Sequence, residues 1–152
     1  VVYEVCADEC FYAYKGGGAF LNSLRISVSD TKMIDACVLR LGLPYNSEAY
    51  KPVINHVILS LYGKVSSMRI NGSAAMSMCY VACGRYDSWF EAYIKCWDYS
   101  AGMLIVEEAG GKISNFYGES LTWGEHHIIA SNNQLHTYWT ELLVPFKNKM
   151  NN

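Results

Sequence analysis

Two rhythms of apolar and polar positions divide the chain. In the opening third, Val1–Val5 and Cys10–Lys15 read as strands joined by a turn at Ala7-Asp8-Glu9, and Arg25–Ser29 alternates as a further short strand. Between them Lys15-Gly16-Gly17-Gly18-Ala19-Phe20 reads as a sharp turn, because consecutive glycines favour reversals over regular elements. An antiparallel lead-in is therefore expected. From Asp35 onward, strand and helix patterns alternate. Ala36–Leu43, Lys64–Ile70 and Asp87–Ile94 are strand candidates, followed by the two short strands Lys112–Phe116 and His127–Ser131.

The helical segments have their own punctuation. Pro52 suits the first turn of a helix running to Tyr62, with Ile54, Val57, Ile58 and Leu61 on one face and Gly63 closing it. Ser73–Cys83 predicts a helix closed by Gly84, and Tyr99–Ala109 one closed by Gly110. A last amphipathic helix is expected around Gln134–Val144. Repeated strand–helix–strand units imply a largely parallel or mixed sheet covered by helices. The fold class is α/β, with residues 1–34 as antiparallel strands and residues 35–152 as the main α/β domain.

Composition narrows the function classes without choosing among them. A chain of 152 residues, 51% hydrophobic and 17% charged, has enough apolar material for a sizeable core. A formal charge of −2 argues against binding nucleic acid or anionic membranes through bulk charge. The longest uncharged run, Ile70–Gly84, is interrupted by Asn71, Ser73, Ser77 and two glycines, and does not read as a membrane span. No secretory leader pattern is present, and the chain starts at Val1 rather than at a methionine. Cys79 and Cys83 lie four apart in a helical pattern, while Cys37 and Cys96 lie in apolar runs. The six cysteines therefore read as free thiols of a reducing cytoplasm, with Cys6 and Cys10 placed where one hairpin bridge would be conceivable. No Cys-x-x-Cys pair suggests a structural zinc site.

Several signatures are missing: no Gly-x-Ser-x-Gly elbow, no phosphate-binding Walker loop, no His-Glu-x-x-His. His126 and His127 are expected in one strand, hence on opposite faces and unable to share a metal; His56 and His136 read as helix-surface or satisfied core residues. Three features carry more chemistry. Gly72-Ser73-Ala74 opens a helix after a strand, where free N–H groups and small side chains admit a polar ligand, although Ser73 as a simple cap explains it equally. Glu91 shares a strand side with Trp89 and Tyr93, an unusual setting for a carboxylate if that face is not simply exposed. Asp98 reads as a helix N-cap without a capping box, yet a carboxylate at a strand-to-helix junction also suits a hard cation such as Mg²⁺. The local pattern leaves both open.

In order along the chain, "VVYEVCADECFYAYKGGGAFLN", "ISVS", "RINGSAAMSMCYVACGRYDSWFE", "CWDYSAG", "VEEAGG" and "IIASN" together resemble the inositol monophosphatase family of metal-dependent phosphatases. The resemblance implies the C-terminal part of an α-β-α-β-α fold. It implies that Asp98 ligates a catalytic Mg²⁺ and contacts substrate, that Gly72, Ser73 and Ala74 face the substrate's polyol part, and that Glu91 accepts hydrogen bonds from its hydroxyls. A small phosphate monoester is the implied substrate, with inositol monophosphate favoured. The bisphosphate-nucleotidase branch lacks the glutamate matching Glu91 and usually has Glu before Trp-Asp, where this chain has Cys96. A cytoplasmic homodimer is implied, with no membrane and no direct nucleic-acid partner. The family's Asp-Pro-Ile/Leu-Asp-Gly-Thr motif and metal-binding glutamate, which lie upstream of the part matching Val1, occur nowhere in the sequence. The glutamates of "VEEAGG" are expected to be structural. This half alone is therefore expected to be catalytically inactive; the alternatives are a non-catalytic interaction domain on the same scaffold, or a bisphosphate nucleotidase or sugar bisphosphatase.

Overall fold

The computed structural model describes residues 1–44 and 48–146; the last residues of the expected 35–152 domain lie outside them. The first four strands form one antiparallel meander: β1 (Val2–Glu4), β2 (Glu9–Tyr14), β3 (Gly18–Leu21) and β4 (Leu24–Ile26), side by side in chain order. The glycine run is thus only partly a turn. Gly16 takes φ 77°, but Gly18 already pairs with Tyr14 and starts β3. The turn is held from outside: Glu108 accepts the N–H groups of Gly16 and Gly18 at 2.6 and 2.8 Å. These bonds hold its carboxyl below the usual carboxylate range and give one glutamate of "VEEAGG" a structural contact.

The second sheet contains β5 (Val38–Gly42), β6 (Ser67–Ile70), β7 (Ser88–Glu91), β8 (Lys112–Asn115) and β9 (Ile128–Ser131), in the order β6-β5-β7-β9-β8. Strands β5, β6 and β7 run parallel, whereas β9 is antiparallel to β7 and to β8, so the sheet is mixed as expected. Every residue of β9 is buried, as a strand covered on both faces requires. Alternation separates two cores: Trp89, Ile128 and Ala130 face one, Phe90 and Ile129 the other.

Helices α2 (Ala74–Ala82) and α3 (Cys96–Glu108) form the layer between the two sheets, packing on Phe11 and Ala19 to one side and Trp89 and Ile128 to the other. That location explains a weakly amphipathic pattern, because a helix sandwiched between sheets needs apolar residues all round. Gly102 lets α3 approach α2 closely, since a Cβ there would lie 2.7–2.9 Å from Met78 side-chain atoms. Helices α1 (Lys51–Leu61) and α4 (His136–Leu143) cover the outer face. Pro52 sits in the first turn of α1 and Val53, Val57 and Leu61 are its buried stripe, with Ile54 and Ile58 packed beside them. The chain is thus layered sheet, helices, sheet, helices.

Polar side chains fasten the layers. Asp87 accepts from the Val38 N–H at 2.6 Å and from Ser29 Oγ at 2.5 Å, tying the crossover between the sheets to β5. His136 is buried between Ser131 Oγ (2.7 Å) and Ser114 Oγ (2.8 Å), and burial holds its imidazole down at about 4, so it is a neutral core residue. His56 meets the Leu142 carbonyl at 3.1 Å. His126 and His127 precede β9 instead of lying in a strand. His126 meets the Ile94 carbonyl at 2.8 Å, while His127 is buried near Glu125 and Phe116. All six cysteines are unbridged. Among the described residues no helix is long and apolar enough to cross a membrane.

Candidate functional site

The three parallel strands end on the same side of the sheet: β6 at Ile70, β5 at Gly42, β7 at Glu91. Ligands of α/β sheets collect beyond the carboxyl ends of such strands. A cleft of about 350 Å³ lies there, lined by Pro44, Gly72, Ala74, Glu91, Tyr93, Ile94, Lys95 and Asp98. Four of the five residues expected at a site, Gly72, Ala74, Glu91 and Asp98, thus line one cleft although up to 26 positions separate them in sequence.

Ser73 is the fifth, and its side chain is turned to another task. Its Oγ accepts the Met76 N–H at 3.3 Å as the N-cap of α2, and its carbonyl accepts Ser77 Oγ at 2.5 Å. Gly72 precedes the cap in open space, where an added Cβ would meet nothing within 4 Å. The entrance to α2 therefore presents backbone and small side chains to the cleft.

Asp98 differs from the expected N-cap. Helix α3 begins at Cys96, three residues earlier than the apolar pattern implies, with Lys95 as its N-cap. Asp98 occupies the third helical position and accepts the Lys95 backbone N–H at 3.4 Å, the reach-back contact of a capping box. This long contact leaves the exposed carboxylate free to take a further partner. Trp97, its neighbour, is 76% exposed and does not wall the cleft.

Glu91 is the more buried acid of the pair, half-buried where Asp98 is exposed. Burial first and the charge of Asp98 second raise its carboxyl from 4.5 to about 7. Lys95 is the one basic side chain among the described residues that line the cleft, and its Nζ donates to Tyr93 Oη at 2.6 Å. Tyr93 in turn stacks on His126 (5.2 Å between ring centres) and leans on Tyr50 (5.5 Å). Pro44, Tyr93, Ile94 and Lys95 are cleft residues that the sequence patterns did not single out. The position of Lys95, directly before the Cys-Trp-Asp triplet, was the one available signal.

Two carboxylates facing a cleft offer oxygen atoms of the kind that hard divalent cations prefer. Among the described residues, however, no group of three or more His, Cys, Asp or Glu side chains is placed to hold a metal ion. Asp98 fits as a contributor to such a centre, and further ligands would have to come from elsewhere.

Comparison with known proteins agrees with this architecture. The sequence profile of the inositol monophosphatase family matches residues 1–146. The Nus factor SuhB of Salmonella typhimurium is 37% identical over 132 residues, covering 87% of this chain and 49% of its own length. The inositol monophosphatase of Anabaena superposes with a TM-score of 0.88 at 32% identity, covering 94% of this chain and 57% of that one. SaIMPase-II with inositol monophosphate bound superposes with a TM-score of 0.82 at 28% identity, covering 95% and 56%. The chain spans about half the length of the curated relatives it matches. It belongs to the inositol monophosphatase family.

Proposed function

We propose that this chain is the substrate- and metal-contacting C-terminal half of a Mg²⁺-dependent phosphomonoesterase acting on inositol monophosphate or a related polyol phosphate. The observation that carries the proposal is the convergence of Gly72, Ala74, Glu91 and Asp98 on one cleft at the strand ends. Asp98 supplies an exposed carboxylate oxygen to the cation and to the substrate. Glu91 accepts hydrogen bonds from hydroxyls of the polyol, which replace the water its half-buried carboxylate would otherwise need. The start of α2 contributes backbone contacts and space beside the polyol, while the Ser73 side chain keeps that turn in shape through Met76. A bound divalent cation would supply charge neutralisation at the phosphate and an activated water. In this reading residues 1–34 complete a sheet with the family's upstream half, and residues 35–152 carry the cleft.

The inositol monophosphate in the SaIMPase-II structure supports a polyol monophosphate as substrate, and the carboxylate of Glu91 in the cleft, an acceptor for hydroxyls, favours it. The same protein with 2′-AMP bound keeps nucleotides in the substrate panel. Phosphate release by the full-length protein with Mg²⁺ should therefore be faster on inositol monophosphate than on 2′-AMP or a nucleoside bisphosphate. The reverse order would overturn the substrate assignment. A second reading is favoured by the name Nus factor carried by the SuhB relatives: a partner-binding module whose cleft does no chemistry. A full-length protein that hydrolyses none of these esters would favour it.

A further inference from the structure

Glu91 is held over a gap in the neighbouring strand. In the parallel ladder Glu91 of β7 stands opposite Gly42 of β5, and both residues lie on the face that carries Arg40 and Trp89. An added Cβ on Gly42 would lie 2.7 Å from Glu91 Cγ and 2.5 Å from its Cδ, with Oε2 closer still. Real side chains do not approach this closely, so any residue but glycine at 42 must turn the carboxyl away. The backbone does not explain the glycine, because Gly42 is not among the glycines with positive φ. What needs the missing side chain is the carboxyl of Glu91.

We propose that Gly42 is a positioning residue of the cleft: its bare Cα is the seat on which the Glu91 carboxylate lies, and it determines selectivity for hydroxyl-bearing phosphate esters. This rests on the functional reading above, in which Glu91 accepts the polyol hydroxyls. The seat explains how a flexible glutamate at the end of a strand keeps one direction when the one charge acting on it among the described residues is that of another acid, Asp98. Strand β5 fixes the floor through its pairing with β6 and β7, and the buried Gly42 leaves a slot one methyl deep. The atoms that an alanine would displace belong to a flexible side chain and not to backbone. Gly42→Ala should therefore leave the fold intact while moving Glu91.

The test compares wild type, Gly42→Ala, Glu91→Ala and the double variant in the full-length protein. A crystal structure of Gly42→Ala should show the Glu91 carboxyl turned off residue 42, with a melting temperature near that of wild type. The ratio of kcat/KM for inositol monophosphate to that for p-nitrophenyl phosphate, which has no hydroxyls, should fall ~10-fold, as loss of a charge-assisted hydrogen bond implies. The fall should appear mainly in KM, and Gly42→Ala should change the ratio no further once Glu91 is alanine. An unmoved Glu91, or an equal loss in the Glu91→Ala background, would overturn the proposal. A wild type inactive on every ester would overturn the functional reading instead, and the crystal structure would still decide whether Gly42 seats Glu91.

Discussion

Replacing Glu91 by glutamine should change the pH dependence of stability more than the fold. In the folded chain its carboxyl is raised from 4.5 to about 7, first by burial and then by Asp98. Between those limits the folded state holds a proton that the unfolded state has lost, so stability falls as pH rises from about 4.5 to about 7. At about 1.4 kcal/mol per pH unit, the full gap corresponds to roughly 3 kcal/mol. The carboxylate faces an open cleft, and water reaching it brings the expected loss to about 2 kcal/mol. Glutamine has nearly the same shape and no charge to desolvate. Urea unfolding at pH 4.5 and pH 8 should therefore show wild type losing about 2 kcal/mol relative to Glu91→Gln between the two conditions. A difference between the proteins that is the same at both pH values would refute the argument, because it would mean that Glu91 ionises as freely when folded as when unfolded.

Two further substitutions test the packing that holds the cleft in place. Gly102→Ala puts a methyl within 3 Å of Met78, including its Cβ, which cannot swing aside. It should cost about 1–3 kcal/mol in urea or thermal unfolding despite alanine's better helix propensity, and a stabilised variant would show that the α2–α3 contact is looser than described. Arg40 is 3% exposed, its guanidinium lies 4.9 and 5.3 Å from the Tyr86 and Tyr80 ring centres, and its Nε and Nη1 have no hydrogen-bond partner among the described residues. Arg40→Leu should be neutral or stabilising by about 1 kcal/mol, since it removes buried donors that burial leaves unsatisfied; a clear loss of stability would show that the tyrosine faces compensate them.

The sequence made some of this architecture legible and hid the rest for physical reasons. Pro52 and Gly63 bounded α1 because proline fixes φ for the first turn and glycine takes the positive φ that ends the helix, while Ser73 marked the start of α2 by capping it through the Met76 N–H. The start of α3 was misplaced because its first turn, Cys96-Trp97-Asp98, carries no apolar stripe of its own. The helix is fixed there instead by the reach-back of Asp98 to Lys95. Strand β3 was read as a turn because its glycine belongs to both, and its pairing with β2 depends on a glutamate 90 residues away. Glu91 and Asp98 were visible as residue types in unusual settings. The register that sets Glu91 over Gly42 was not, because parallel pairing of β5 with β7 leaves no local mark on either segment.

The most direct test of the account is Mg²⁺-dependent phosphate release from inositol monophosphate by the full-length protein and its Asp98→Asn variant. Asparagine keeps the shape and the contact to the Lys95 N–H but removes the charge that a cation needs. Wild type should show Mg²⁺-dependent turnover, and Asp98→Asn a loss on the order of 100-fold or more, as expected for a lost ligand. Turnover that is unchanged in Asp98→Asn, or that needs no divalent cation, would contradict the account.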